Sequence, residues 1–170
     1  VVLVLMESMS AKYMKAYGGV GLTPNLDRLH ESGLTFDHIY STGTRTVRGI
    51  EAVLLSLPPT PGQSILRRPR SENLFSLGSV LLEQGYDANF IYGGRAFFDN
   101  MRDFFEANGF NVLDQTDVPN EKVHFANAWG LCDEDIFDFA IERANILHKA
   151  QKPFFQVILT TSNHRPYTFP

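Results

Sequence analysis

The sequence S-T-G-T-R-T-V-R-G-I-E, residues 41–51, joins a segment typical of a β-strand to a segment typical of an α-helix. Just upstream, residues 34–40 are rich in aromatic and β-branched side chains, and they predict a short strand. Just downstream, residues 50–57 are mostly apolar and precede two prolines, which predicts a helix that ends there. The segment is therefore expected to be the polar loop of a strand–loop–helix unit.

Two arginines flank a hydroxyl in this loop, because Arg45 and Arg48 lie within two residues of Thr46. A hydroxyl at a helix N-terminus lies near unpaired backbone N–H groups and the positive end of the helix dipole, which favour an oxyanion and its anionic ester. Guanidinium groups add bidentate binding of phosphate or sulfate. A threonine before a helix is more commonly only an N-cap, and this alternative applies to Thr44 as well as to Thr46. The two arginines favour an anion site.

The composition is typical of one folded domain. The chain has 170 residues, of which 44% are hydrophobic and 20% are charged, so a sizeable core is expected. A net charge of −4 argues against a general nucleic-acid surface, and no nucleic-acid partner is expected. The single cysteine, Cys132, excludes an intrachain disulfide and is expected to be a small buried residue.

Four apolar segments predict β-strands, and segments with helical patterns lie between them. Residues 1–6 are apolar throughout, which is typical of a strand that is buried on both faces of a sheet. Strands that alternate with helices predict an α/β fold, here a three-layer α/β/α sandwich with a mostly parallel central sheet. The other predicted strands are residues 88–92, 111–113 and 154–159, and the further predicted helices are residues 24–32, 74–84, 97–109 and 133–147.

Polar side chains follow several of these segments. Glu7 comes directly after the first strand, and His164 lies in the loop after the last one. Ligands of open α/β sheets bind beyond the carboxyl ends of the strands, so Glu7, His164, the Thr46 loop and residues 94–100 are expected to form one site. A carboxylate and a threonine alkoxide can share a divalent metal ion, whose charge lowers the pKa of the hydroxyl. Taken alone, Glu7 is explained as well by a position at a helix start or in a solvated turn as by a role in this site.

The remaining histidines show no pattern of partners. His30, His38, His124 and His148 are expected to lie on surfaces without a function.

Five short motifs follow one another along the chain: V-L-M-E-S at residues 4–8, T-P-N-L-D-R-L at 23–29, T-R-T-V-R-G-I-E-A at 44–52, G-L-C-D-E-D-I-F at 130–137 and S-N-H-R-P-Y at 162–167. Together they resemble the lipoteichoic-acid-synthase and phosphoglycerol-transferase branch of the alkaline phosphatase and sulfatase superfamily. The third motif is closer to the glucan phosphoglycerol transferases of Gram-negative bacteria. The resemblance implies an alkaline-phosphatase-like fold.

The resemblance also implies roles for individual residues. It makes Thr46 the nucleophile and Glu7 a ligand of one divalent cation, Mn²⁺ or Mg²⁺, which Thr46 also contacts. His164 matches a catalytic-site histidine near the transferred phosphoglycerol group. Arg45 stands where relatives carry a basic residue before the nucleophile, and with Arg48 it belongs to the expected substrate-binding set.

The chain departs from the family pattern at two expected substrate-binding positions and in its metal ligands, and its one cysteine does not match a sulfatase nucleophile. Phe98 falls where lipoteichoic acid synthases have a tryptophan, and Asn100 falls about where they have an arginine, so both are expected substrate-binding positions with altered contacts. Cys132 lacks the C-x-P-x-R surroundings of a formylglycine sulfatase. The downstream Asp-His metal ligands of the family have no counterpart, since the pair Asp37-His38 is expected to be structural. Residues 1–170 are therefore expected to be the amino-terminal portion of a single sulfatase-like catalytic domain that continues further, and to be inactive alone.

The implied function is a metal-dependent transfer of a phosphoglycerol group from an anionic phospholipid donor, similar to phosphatidylglycerol, to a glycan or polyglycerol hydroxyl through a phosphothreonine-type intermediate. The parent protein is expected in the cell envelope, anchored in the membrane by parts outside this chain, with this domain on the periplasmic or extracellular side. The alternatives are a phosphoethanolamine transferase, a phosphodiesterase or a sulfuric ester hydrolase of the same superfamily, and a non-catalytic member that binds anionic glycans.

Overall fold

A parallel sheet of four strands forms the centre of the larger of two compact units in the computed structural model, which describes residues 1–168. This unit comprises residues 1–7 and the chain from residue 42 onward, and the smaller unit comprises residues 8–41. Along the chain, the strands are β1 (Val2–Leu5), β2 (Asp87–Tyr92), β3 (Asn111–Leu113), β4 (Ala126–Asn127), β5 (Gly130–Leu131) and β6 (Phe154–Leu159). The main sheet has the order β1–β6–β2–β3, and β4 and β5 form a separate antiparallel pair.

Helices cover both faces of the main sheet. The helices are α1 (Pro24–Ser32) in the smaller unit, and α2 (Thr46–Leu55), α3 (Leu77–Glu83), α4 (Met101–Ala107) and α5 (Asp133–Lys149) in the larger unit. Successive side chains of a strand point to opposite faces, so Phe90 of β2 packs in the core with α2 and α4, whereas Ile91 packs in the core with α5. The predicted three-layer α/β/α architecture with a parallel sheet is confirmed.

Aromatic rings fill the core on the first of these faces. Phe90 stacks on Phe105 of α4 with ring centroids 3.8 Å apart and planes 7° from parallel. Phe110 contacts Phe105 edge-on at 5.1 Å and reaches Phe155 of β6 at 5.9 Å. Large rings in these geometries contribute dispersion energy as well as buried area, so they fix the position of α4 on the sheet.

The strand predicted at residues 34–40 is wrong. This segment is irregular, and most of its large apolar side chains are exposed. Aromatic and β-branched composition only indicates that a segment can pair, whereas a strand needs a neighbouring backbone to pair with. In the described part of the chain each sheet strand pairs elsewhere, so Asp37 and His38 do not lie in a strand.

Two helices begin at other residues than the sequence predicted. The helix predicted from residue 50 begins at Thr46, because the N–H groups of Arg48 and Gly49 already bond to the carbonyl of Arg45. The helix predicted at residues 97–109 is a 3₁₀ turn (Phe98–Asn100) followed by α4. Asp99 and Asn100 have φ values of 53° and 62°, and this left-handed backbone interrupts the helix between the two parts.

His124 does have a partner, contrary to the prediction. Its Nδ1 lies 2.5 Å from Oδ1 of the buried Asp135, and its backbone N–H donates to Oδ2 at 2.9 Å. Burial opposes ionisation of Asp135, but the hydrogen bonds from His124 and the Phe125 N–H hold the pKa of this carboxyl below its usual range. The bond to Asp135, and then its charge, raise the pKa of the His124 imidazole. The pair ties the segment before β4 to the first turn of α5.

We predict opposite effects of alanine at two glycines. Gly130 has φ +134°, and a Cβ there would overlap the carbonyl oxygen of Gly93, so Gly130→Ala should lower the free energy of unfolding by about 2 kcal/mol or more. Gly49 lies inside α2 with open space around it, so Gly49→Ala should raise it by about 0.5–1 kcal/mol. Chemical denaturation of both variants measures these differences, and equal effects would contradict the close approach at Gly130.

The His124–Asp135 pair predicts a pH-dependent contribution to stability. The folded pKa of His124 is raised, so its contribution is complete below the unfolded histidine pKa and is lost as the pH rises through the folded value. The folded pKa of Asp135 is lowered, so its contribution is lost as the pH falls through that value. The loss of stability in His124→Ala should therefore be greatest between about pH 4 and 6.5.

Thermal unfolding of this variant over a pH series measures the effect. His38→Ala is the control, because His38 is exposed and lies outside the pair. A loss in His124→Ala that stays constant up to pH 9 would contradict the ion pair.

Candidate active site

The pairing of β1 with β6 positions Glu7. In the parallel register Leu5 lies opposite Leu159, so the residues that follow the two strands meet at the same edge of the sheet. The backbone N–H of Glu7 donates to Thr160 Oγ1 at 2.9 Å, and the side-chain amide of Asn163 donates to the Glu7 carbonyl at 3.2 Å. These bonds hold the backbone of Glu7 and leave its carboxylate to face a neighbouring helix.

The hydroxyl of Thr46 binds this carboxylate. Thr46 is the first residue of α2, and its Oγ1 donates to Oε2 of Glu7 at 2.9 Å. A capping threonine would instead accept a hydrogen bond from a backbone N–H group of the first turn. The residue in the N-cap position is Arg45, whose side chain makes no capping bond. The capping alternative for Thr46 and Thr44 is therefore wrong, and the hydroxyl lies at the positive end of the α2 dipole.

A narrow cavity of about 20 Å³ opens beside Glu7 and Thr46. Its volume admits roughly one water-sized group. Its wall includes two further residues that the sequence predicted, His164 and Phe98. The other residues of the wall are Val47, Tyr92, Asp99, Met101, Trp129, Leu159, Thr160 and Thr161.

The His164 ring is held in one orientation. Nδ1 lies 2.8 Å from the carbonyl oxygen of Arg165, and because a carbonyl only accepts, Nδ1 carries the proton. In the neutral ring Nε2 then has the free lone pair and can accept a proton. The ring lies against Trp129 with centroids 3.7 Å apart, and the Trp129 indole N–H donates to the same Arg165 carbonyl.

Trp129 and Tyr92 line the narrow cavity as well, although no sequence motif indicated them. Trp129 contacts Phe98 edge-on with centroids 5.8 Å apart, so an indole lies beside this predicted substrate-binding residue. Tyr92 is the last residue of β2 and lies opposite Leu159, and its burial, with the charges of Glu7 and Asp99, raises the pKa of the phenol to about 12. Tyr92 therefore stays protonated at neutral pH. Its place at a strand end was the signal that could have identified it.

The two arginines lie outside this cavity wall. Arg45 and Arg48 line a separate cavity of about 190 Å³. Arg48 donates to Oε1 of the buried Glu51 at 2.7 Å and to the carbonyl of Gly62. Burial opposes ionisation of Glu51, but the bond from Arg48 and those from the Ile65 N–H and a serine hydroxyl keep its pKa lowered. A substrate-binding role of Arg45 and Arg48 stays a prediction.

Two other sequence predictions have clear positions. The side-chain amide of Asn100 donates to the carbonyl of Leu66 at 2.7 Å and does not line the narrow cavity, so its substrate-binding role also stays a prediction. Cys132 is buried as expected, and burial raises the pKa of its thiol to about 11. A thiol that stays protonated at neutral pH is a poor nucleophile.

The Glu7–Thr46 pair fits part of a metal site. Carboxylate and hydroxyl oxygens are the hard ligands that Mg²⁺ and Mn²⁺ take in proteins. Within residues 1–168, no group of three or more His, Cys, Asp or Glu side chains is arranged to hold a metal ion. The pair can therefore supply two ligands of a divalent cation.

No helix in the described part of the chain has both the length and the apolar character needed to cross a membrane.

Comparisons with known sequences extend over nearly the whole chain. The family model described as Sulfatase matches residues 1–170. Phosphoglycerol transferase I of Xanthomonas campestris pv. campestris (strain B100) is 29% identical over 171 residues, which cover 94% of this chain and 24% of the relative. Phosphoglycerol transferase I of Escherichia coli (strain 55989 / EAEC) is 28% identical over 173 residues, which cover 96% of this chain and 22% of the relative. The chain spans about a quarter of the length of these curated relatives.

Solved structures show the same fold. A protein of the alkaline phosphatase superfamily from Vibrio parahaemolyticus superposes with a TM-score of 0.93 at 43% identity, over 99% of this chain and 41% of that one. The lipoteichoic acid synthase LtaP from Listeria monocytogenes superposes with a TM-score of 0.87 at 20% identity, over 100% of this chain and 42% of that one. The resemblance inferred from the five motifs is confirmed, and the chain belongs to the sulfatase family within the alkaline phosphatase superfamily.

Proposed function

We propose that these residues are the amino-terminal part of the catalytic domain of a metal-dependent phosphoglycerol transferase. The observation that carries the proposal is the hydrogen bond from the Thr46 hydroxyl to Glu7 at the first residue of α2. The similarity to phosphoglycerol transferase I supports the reaction class, and the coverage of 41% and 42% of the solved structures is consistent with further catalytic residues in another part of the protein.

The proposed reaction is a double displacement. In the first half, Thr46 Oγ1 loses its proton to solvent and attacks the phosphorus of a phosphatidylglycerol-like donor. The bond from phosphorus to the diacylglycerol oxygen breaks, and the His164 ring, which enters this step with a proton on Nε2 as well as on Nδ1, gives that oxygen the Nε2 proton. The phosphoglycerol group is then esterified to Thr46, and diacylglycerol leaves.

In the second half, a hydroxyl of a glycan or polyglycerol acceptor gives its proton to Nε2 of His164 and attacks the phosphorus. The bond between phosphorus and Thr46 Oγ1 breaks, and this oxygen takes a proton from solvent. Thr46 and His164 end in their starting protonation states. The donated bond from His164 Nδ1 to Arg165 supports this role, because it keeps Nε2 free for proton transfer.

A divalent cation, Mn²⁺ or Mg²⁺, held by Glu7, Thr46 and ligands outside the described residues, would lower the pKa of the hydroxyl and neutralise charge on the phosphoryl group. The cavity lined by Arg45 and Arg48 is proposed to attract the anionic donor headgroup. The proposal also includes a location in the cell envelope, and the family resemblance implies that this domain lies outside the cytoplasm. Donor assays with phosphatidylethanolamine and with sulfate esters separate this proposal from the other reactions of the superfamily.

The nucleophile prediction concerns Thr46. Thr46→Ala should reduce turnover by about four orders of magnitude or more and abolish the covalent adduct, since it removes the attacking oxygen. Stability should fall by only about 1 kcal/mol, the value of one hydrogen bond. Thr46→Ser keeps a hydroxyl and should retain some activity. The measurement is the intact mass of the full-length protein after incubation with phosphatidylglycerol, with peptide mapping of the adduct.

Thr42→Ala and Thr44→Ala are the matched controls, because neither hydroxyl lines the narrow cavity. A phosphoglycerol adduct on Thr44, or normal turnover by Thr46→Ala, would overturn the assignment.

The metal prediction concerns Glu7. Glu7→Gln keeps the size of the side chain but removes its negative charge, so the full-length protein should lose at least about tenfold in Mn²⁺ affinity and lose activity. Isothermal calorimetry with Mn²⁺ measures the affinity directly. Glu72→Gln is the control, because Glu72 is exposed and does not line the cavity. Equal Mn²⁺ affinities of wild type and Glu7→Gln would remove Glu7 from the site.

A further inference from the structure

One of the five sequence motifs, at residues 130–137, has no part in the reaction proposed above. Its three acidic residues form the first turn of α5, where carboxylates interact favourably with the positive end of the helix dipole. That explanation applies equally to all three side chains, but the structure gives each of them a different environment. Glu134 is exposed, and Asp135 binds a histidine. Asp133 binds the loop that carries His164.

Asp133 holds two successive backbone N–H groups of this loop. Its Oδ1 accepts from the Thr161 N–H at 2.7 Å and from the Ser162 N–H at 3.0 Å. The contact is reciprocal, since the backbone N–H of Asp133 donates to Ser162 Oγ at 2.8 Å. Hydrogen bonds to an ionised acceptor are stronger than those between neutral groups. The carboxylate therefore ties the loop to the first residue of α5.

The residue that Asp133 binds is also bonded to His164. The backbone N–H of His164 donates to the carbonyl of Thr161 at 3.0 Å. Asp133 and His164 thus bond to the N–H and the carbonyl of one residue. On the other side of the loop, Thr160 Oγ1 accepts from the Glu7 N–H at 2.9 Å. The loop is therefore held between Glu7 and α5, and His164 follows directly from it.

Loss of the Asp133 carboxylate would release this loop. Within residues 1–168, neither the Thr161 N–H nor the Ser162 N–H has another acceptor. Thr161 is buried, and a buried N–H group without an acceptor is unfavourable. The backbone would therefore move until these groups meet water or another acceptor. The His164 ring would move with it, away from its contact with Trp129 at 3.7 Å between centroids.

We propose that Asp133 is a positioning residue for proton transfer. By binding the Thr161 and Ser162 N–H groups it places the His164 ring in the wall of the narrow cavity, within reach of the leaving oxygen. This inference rests on the proposed function, in which the Nε2 proton of His164 passes to the diacylglycerol oxygen as its bond to phosphorus breaks. A proton donor must lie within hydrogen-bond distance of the oxygen that it protonates, so a small displacement of the ring removes the effect.

The test compares two donors with the full-length protein. Diacylglycerol leaves phosphatidylglycerol as an alkoxide that needs a proton, whereas p-nitrophenyl phosphoglycerol releases a phenolate that is stable at neutral pH. The quantity measured is the single-turnover rate at which the phosphoglycerol adduct forms on Thr46 with each donor. Asp133→Ala should lower this rate by about 10- to 100-fold with phosphatidylglycerol and by less than about 3-fold with the nitrophenyl ester. The ratio of the two rates does not depend on the folded fraction, so a partly unfolded sample cannot produce this result.

Two further variants separate positioning from the helix dipole. Asp133→Asn keeps an oxygen that accepts from the two N–H groups, so it should restore most of the rate with phosphatidylglycerol. Glu134→Ala is the matched control, because it removes an exposed carboxylate from the same helix turn and should leave the ratio unchanged. Hydrogen exchange of the peptide that contains Thr161 and Ser162, followed by mass spectrometry, should be faster in Asp133→Ala and unchanged in Glu134→Ala.

Equal losses with both donors in Asp133→Ala, or the same change of ratio in Glu134→Ala, would overturn the inference alone. Wild type that forms no adduct with either donor would overturn the proposed function. In that case the exchange measurement still decides the placement of the loop. Faster exchange only in Asp133→Ala would support the placement by Asp133, and unchanged exchange would overturn it.

Discussion

The parallel pairing of β1 with β6 is the contact on which the site depends. It joins residues that are more than 150 positions apart, as the bond from the Glu7 N–H to Thr160 shows. Closing so long a loop costs conformational entropy, although this cost grows only with the logarithm of loop length. The core around Val157 and Leu159 of β6 offsets it, because these side chains are almost fully buried. Once the strands are paired in register, Glu7 and the His164 loop lie at one edge of the sheet.

A second constraint fixes α2, whose first residue carries the hydroxyl. Ile50 and Leu54 bury one face of this helix in the core, and the buried carboxylate of Glu51 binds Arg48, Ser64 and the Ile65 N–H. A buried carboxylate without these partners would be strongly unfavourable, so the network permits only one placement of the helix. The position of the Thr46 hydroxyl therefore depends on contacts one turn further along α2.

Two cavities of very different volume share one wall at the candidate site. The cavity beside Glu7 and Thr46 has a volume of about 20 Å³, whereas a second cavity of about 360 Å³ shares Tyr92, Phe98 and Trp129 with its wall. The wall that the two volumes share is aromatic, and Trp129 is held there by backbone and indole hydrogen bonds to Asn127 and Arg165. The close approach of Gly130 to Gly93 keeps β5, and with it Trp129, against the end of β2. Binding energy from a large group can thus orient a small reacting centre.

The sequence by itself determined the four strands of the main sheet and the layer order, because apolar runs and helical patterns are properties of consecutive residues. Strand ends and local motifs also predicted Glu7, Thr46 and His164, whose catalytic and metal-binding roles stay predictions. The strand predicted from the composition of residues 34–40 was wrong, because no partner strand for this segment exists within the described residues. Only the tertiary structure decided that Arg48 binds Glu51 away from the narrow cavity, and that Trp129 lies against His164. Such contacts depend on the direction in which side chains leave a packed backbone, and no local pattern encodes that direction.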